Sequence, residues 1–204
     1  YKPKNLTAIG GEILVQNEAF NMLFNLHKKF PEMKIHTITN LCVNEDRIKK
    51  AEEIFDEMTV SMLGFTPFTY QNEMGLDFEK VMKNFMYLYE NKKVELRPKY
   101  LAMPTNLFEL VPFFRWAIDL NLNKIYLHNI HEFAKVANLD TKYWIKTFAR
   151  LEKDMKKIFE ENREKIIDKD SHYISIHPIL SERLHIDESY IRENGFEKTV
   201  FITK

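Results

Sequence analysis

Gly10, Gly11 and Glu12 close a short apolar run, Leu6-Thr7-Ala8-Ile9. Adjacent glycines let a backbone approach a ligand closely and leave its carbonyls and amides open, and a carboxylate beside them accepts hydrogen bonds from an ammonium group. Taken alone, the same residues also describe a tight strand-to-loop turn with a solvated acid. Further polar residues follow other apolar runs: Thr39 and Asn40, then Ser61 and Gly64, then Arg97 and Lys99, and finally His128, Asn129 and His131. The two histidines would ligate a metal if His172, His177 or a carboxylate joined them. Residues three apart on a strand point to opposite faces, so a polar cavity mouth is the preferred reading and no metal site is assigned. Lys99 and His128, with Tyr100 and Met103, are candidates to line a substrate cavity.

The elements that must position these residues alternate along the chain. Apolar runs of strand length fall at Leu6–Ile9, Lys34–Thr39, Met58–Leu63, Val94–Tyr100 and Lys124–His128. Between them, helical spacing of apolar residues covers Glu18–Phe30, Asp46–Phe55, Phe78–Tyr89 and Leu107–Leu120, the last with Thr105 or Asn106 as a candidate cap. Parallel strands need crossover connections, so strand and helix in alternation predict an α/β fold with parallel strands. Beyond Asp140 the pattern changes to one long charged amphipathic helix, Tyr143–Ile167, and short strand-like runs at Tyr173–Ile176 and Thr199–Ile202. The division expected is residues 1–140 for the repeat and 141–204 for an extension packed on the same domain.

Composition removes several classes of partner. Thirty basic residues balance thirty acidic ones, which leaves no electrostatic footprint for nucleic acid and no basic stripe for a membrane surface. The apolar runs are too short and too interrupted by charge to span a bilayer. A single cysteine, Cys42, excludes a disulfide framework within the chain and fits a reducing, cytoplasmic setting. Between Leu41 and Val43, it is expected to pack as a small apolar residue.

The ordered strand ends resemble those of the radical S-adenosylmethionine enzymes. That family's partial, open (β/α) barrel ends its second strand on Gly-Gly-Glu and its third on Thr-Asn, and carries a serine in its fourth. The likeness runs from Leu6 to about Phe133. Ile13 stands where the family usually has proline, and Met62-Leu63-Gly64 where it usually has Leu or Ile followed by an acid. The resemblance implies S-adenosylmethionine as cofactor, with Gly10, Gly11 and Glu12 at its amino group, Asn40 and Ser61 near its ribose or carboxylate, and Arg97 near the carboxylate.

The family also holds a 4Fe–4S cluster on three cysteines of a Cys-x3-Cys-x2-Cys loop after its first strand. Several converging thiolates are needed for such ligation, and Cys42 alone does not supply them. On this comparison the strand at Leu6 corresponds to the family's second. The first βα unit is then expected before Tyr1, with the cluster present only in the full-length protein. The reading is a cofactor-binding fragment of an iron–sulfur oxidoreductase that would generate a deoxyadenosyl radical for hydrogen abstraction, inactive as given. Its substrate, small molecule or peptide, is not selected by these residues. One alternative is a non-catalytic α/β binding or scaffold domain. Another is a complete barrel using Glu12 as base with Lys99 or His128, but eight βα units typically take ~250 residues and about five strands are visible.

Overall fold

The computed structural model describes residues 3–103, 105–122, 124–129, 154, 158, 161 and 173–176. Their elements run β1 (Asn5–Ala8), α1 (Asn17–Lys29), β2 (Lys34–Thr39), α2 (Glu45–Glu52), β3 (Glu57–Met62), α3 (Pro67–Met74), α4 (Phe78–Asn91), β4 (Glu95–Ala102), a 3-10 turn (Leu107–Glu109), α5 (Leu110–Asp119), β5 (Lys124–Asn129) and β6 (Tyr173–Ile176). The sheet follows sequence order, β1-β2-β3-β4-β5-β6. β1 with β2, β2 with β3, β4 with β5 and β5 with β6 all pair in parallel. Parallel strands in sequence order, linked through helices, are the arrangement of an open section of a (β/α) barrel. The α/β class expected from the alternation, and the open, partial barrel implied by the resemblance, are what the chain adopts.

Two compact units divide the chain: Tyr1–Ser61 with Met74–Arg97, and Met62–Glu73 with Pro98–Lys204. In the first, α1 buries Phe20 and Leu23, α2 buries Ile48 and Ala51, and α4 buries Val81, Phe85 and Leu88. These are the apolar stripes that helical periodicity marks out. Asn44 and Asp77 cap α2 and α4, their side chains accepting the backbone N–H of Arg47 at 2.9 Å and of Lys80 at 3.1 Å. In the second unit, α5 buries Leu110, Phe113, Phe114, Ala117 and Ile118. The Phe113 ring centroid lies 5.8 Å from Phe65, edge on, and 4.8 Å from Tyr100.

The strands alternate between a buried face and an accessible one. Ile35, Thr37 and Thr39 of β2 are buried while His36 and Ile38 are half-buried, and Leu96, Pro98 and Tyr100 of β4 are buried while Glu95, Arg97, Lys99 and Leu101 are half-buried. Residues paired in register share a face, so this alternation sorts the candidate site residues before any contact is considered.

Some elements depart from expectation. α3 has no apolar stripe to announce it: only Thr69 and Tyr70 of its eight residues are buried, and Phe68 is 77% exposed. β4 continues to Ala102, two residues beyond the expected Tyr100. β6 forms where a strand was expected and pairs in parallel with β5. Of the helix expected over Tyr143–Ile167, the structure describes Asp154, Ile158 and Glu161, all helical, with Ile158 buried and both acids exposed. The Thr199–Ile202 strand lies outside the described residues, as do His131, His172 and His177. Among the described residues, no helix is long and apolar enough to cross a membrane.

Candidate functional site

The turn after β1 is built on backbone geometry that favours glycine. Gly10 has φ +117° and Gly11 φ +57°, and a Cβ on Gly11 would stand 2.7 Å from the Gln16 Nε2 atom. Both residues are exposed. Among the described residues, neither takes part in the hydrogen bonds of turns and loops. The turn therefore presents open carbonyls at the carboxyl end of the strand.

Glu12 faces inward from this turn and holds it to the next strand. Its Oε1 accepts the Thr39 hydroxyl at 2.7 Å and the Leu14 N–H at 3.2 Å, and its Oε2 accepts the Asn40 N–H at 2.7 Å. Thr39 Oγ1 in turn accepts the Leu41 N–H at 3.0 Å, and Asn40 Oδ1 accepts the Cys42 N–H at 2.8 Å. Leu41 is fully buried with φ +57°, an uncommon conformation for a side chain of its size. Asn84 of α4 supports that bend, its Nδ2 donating to the carbonyls of Leu41 at 2.8 Å and Val43 at 2.9 Å. Sequence reasoning missed Asn84. Its signal is a lone amide among Val81, Phe85 and Leu88, where an apolar side chain would complete the stripe. Cys42 is half-buried between buried Leu41 and Val43.

Ser61 belongs with this group. It follows Val60, which pairs in register with Thr39, so the carboxyl end of β3 brings it beside the Thr39-Asn40 turn. Arg97 does not belong there. β4 ends at Ala102, which puts Arg97 in its amino half, where its guanidinium pairs with Glu57 at the start of β3 and with Glu95 at 2.9 Å. The Arg97 side chain is 13% exposed and committed to two carboxylates. His36 joins the same cluster, its Nε2 3.0 Å from Thr59 Oγ1 and 3.5 Å from Glu57 Oε1. A cleft of about 290 Å³ opens on this amino side, lined by Asn5, Thr7, Lys34, His36, Asp56 and Glu57 among others. Arg97, expected near a cofactor carboxylate, is placed in this ion-pair cluster at the amino end of the strands.

In the second unit two buried side chains play the part that Glu12 plays in the first. Asn106 is fully buried; its Nδ2 donates to the carbonyls of Leu63 and Leu101, each at 2.9 Å, and its Oδ1 accepts the Met103 N–H at 2.7 Å. Its side chain therefore ties two strand-end loops together and does not cap α5. Glu109, 1% exposed, accepts the Phe65 N–H at 2.5 Å and the Thr66 hydroxyl at 2.6 Å. Tyr100 lies on the buried face with its hydroxyl donating to the Asn106 carbonyl at 2.9 Å, so it does not line a cavity on the accessible face. Burial pushes its phenol well above the ordinary value, and the Glu109 charge adds to the shift. Lys99 is half-buried on the accessible face, its pKa lowered by burial. His128 occupies the β5 position paired with Leu101.

Carbonyls without a turn or loop donor among the described residues, as at Gly10 and Gly11, are what an ammonium group needs. An iron–sulfur cluster does not fit these residues. Cys42 is the single cysteine of the chain, and among the described residues no group of three His, Cys, Asp or Glu side chains is placed to hold a metal ion.

No protein-family model matches the chain, and no curated protein matches it by sequence. Its fold does have solved counterparts. The Streptococcus suis protein SuiB, bound to the precursor peptide SuiA, aligns with TM-score 0.60 and 12% identity over 91% of this chain and 41% of that one. A domain of the pyruvate-formate lyase-activating enzyme from Bacteroides vulgatus aligns with TM-score 0.58 and 11% identity over 85% of this chain and 98% of that domain. Native anSMEcpe with bound AdoMet and a Kp18Cys peptide aligns with TM-score 0.57 and 19% identity over 85% of this chain and 50% of that one. The chain spans about two fifths of SuiB and half of anSMEcpe. It has the core fold of the radical S-adenosylmethionine enzymes.

Proposed function

We propose that the chain is the S-adenosylmethionine-binding part of a radical enzyme, with a 4Fe–4S cluster held by cysteines outside these residues. The observation that carries the reading is the Glu12 clamp, which fixes a two-glycine turn with open carbonyls at the carboxyl edge of the strands, where ligands bind in parallel α/β sheets. Bound at this turn, S-adenosylmethionine would supply radical hydrogen-abstraction chemistry, with the reducing electron coming from a cluster held outside these residues.

The residues of this chain have binding and positioning roles. The carbonyls of Gly10 and Gly11 accept hydrogen bonds from the cofactor's ammonium group, and Glu12 adds negative charge behind them while holding the turn in place. Asn40 has its side-chain oxygen engaged by Cys42 and its NH₂ left to donate to a ribose or carboxylate oxygen. Ser61 offers a hydroxyl from β3 on the same edge. A peptide substrate is supported by the solved structures of SuiB with SuiA and of anSMEcpe with its Kp18Cys peptide.

Backbone amide NMR of the isotope-labelled chain titrated with S-adenosylmethionine tests this reading. Saturable shifts are expected at Gly10, Gly11, Glu12 and Asn40, and a Gly11→Val variant should lose them. Shifts confined to other residues, or none at millimolar cofactor, would overturn it.

A further inference from the structure

Charged residues occupy three successive accessible positions on β4: Glu95, Arg97 and Lys99. Glu95 and Glu57 neutralise Arg97. Lys99 is half-buried on the same face, and among the described residues it has no carboxylate partner. Its register neighbours extend the row without an acid. Lys99 pairs with Tyr126 and Tyr126 with Ser175, while the next row along β4 and β5 holds Leu101 and His128.

An ammonium group drawn partly out of water without a counter-charge loses hydration that nothing in the protein returns, so such a group is retained where something else supplies the charge. Burial alone lowers the pKa of Lys99, as expected for a cation that lacks an anionic neighbour. Arg97, the neighbouring cation on this face of β4, is paired within the chain, which leaves Lys99 as the position on this strand where an external anion gains most. We propose that Lys99 anchors an anionic group of the substrate, a carboxylate or a phosphate, on the accessible face of β4 and β5. The inference rests on reading that face as the substrate side of the fold.

Reductive ¹³C-methylation of the lysines keeps their charge and gives each an NMR signal, and a Lys99→Arg variant identifies the Lys99 signal by its loss. The methylated chain is titrated with succinate in one arm and inorganic phosphate in another, with no S-adenosylmethionine present. A saturable shift of the Lys99 signal is expected in at least one arm, while exposed Lys83 responds weakly and without saturation. Response to succinate alone assigns a carboxylate, and response to phosphate alone a phosphoryl group. The amides of Tyr126 and Leu101 should follow the same curve, and a Lys99→Met variant should abolish their response. They provide the measurement without any variant if Lys99→Met does not fold. A Lys99 signal that moves no more than that of Lys83 in both arms would overturn the proposal. Because the cofactor is absent throughout, that failure is separate from a failure of the cofactor titration at Gly10 and Gly11.

Discussion

Glu12 and Thr39, 27 residues apart in sequence, are joined by a 2.7 Å hydrogen bond from the Thr39 hydroxyl to Glu12 Oε1. Because Glu12 Oε2 also accepts the Asn40 N–H at 2.7 Å, a single carboxylate ties the loop after β1 to the loop after β2. A hydrogen bond to a charged group contributes ~1.5–3 kcal/mol, and the three donors here share one acceptor group. Glu12→Ala is expected to lower the unfolding free energy by about 3 kcal/mol in urea titrations, and Glu12→Gln by about half as much. Thr39→Val should cost about 1–2 kcal/mol, since it removes both the donor to Glu12 and the acceptor for the Leu41 N–H. A Glu12→Ala chain as stable as the parent would show that the clamp contributes nothing to folding.

The strand ends were legible because runs such as Leu6–Ile9 and Lys34–Thr39 are bounded by residues that stop strands, and because their alternation survives in the fold. The partners of those strand ends were not legible. That Glu12 meets Thr39, or Asn106 meets Leu63 and Leu101, follows from the parallel register and from loop paths that no local pattern encodes. Arg97 shows the same boundary from the other side. Its residue type suits an anion, but the two extra residues of β4 move the strand end away from it, and Glu57 becomes its neighbour through pairing across the sheet. α3 escaped detection because its helix is held by its start at Thr66 and Thr69 rather than by an apolar stripe.

The Arg97–Glu57 pair predicts a stability effect that is separable from cofactor binding. With the two side chains 13% and 21% exposed, Arg97→Met leaves Glu57 with the His36 imidazole 3.5 Å away and Glu95 without its guanidinium. Breaking a largely buried pair by removing one partner is strongly destabilising, here about 2–3 kcal/mol allowing for residual solvent. Thermal unfolding should show that loss while the S-adenosylmethionine shifts at Gly10 and Gly11 persist below the unfolding transition. Selective loss of those shifts with unchanged stability would return Arg97 to the cofactor site.

Gly64 has a negative φ, so the cost of replacing it is purely one of space. A Cβ there would meet the Tyr70 backbone nitrogen at 2.7 Å and the Thr69 carbonyl carbon at 3.0 Å, and backbone atoms at a helix start do not move aside cheaply. Gly64→Ala is therefore expected to displace the Phe65-Thr66 segment from the Glu109 carboxylate and to cost about 1–3 kcal/mol, as overpacking commonly does. Differential scanning calorimetry measures the loss. An alanine variant as stable as the parent would mean that the loop after β3 yields more easily than its hydrogen bonds to Glu109 suggest.

Tyr100 carries a pH dependence whose sign follows from its surroundings. Burial first, and then the negative charge of Glu109, hold its phenol protonated in the folded chain well above the value of about 10 that a tyrosine has when unfolded. Below that unfolded value both states keep the proton, and the contribution of Tyr100 to stability is fully present. As pH rises past it, the unfolded chain releases the proton while the folded chain does not, so stability falls toward the folded-state pKa. Absorbance of tyrosinate should therefore show one fewer ionising tyrosine in the folded protein than in urea at the same alkaline pH. Tyr100→Phe should remove that part of the alkaline loss, at a cost near neutral pH of about 1 kcal/mol for the hydrogen bond to the Asn106 carbonyl. If the variant and the parent lose stability in parallel through the alkaline range, the phenol is not held neutral and the packing of Asn106, Glu109 and Tyr100 is looser than the distances require.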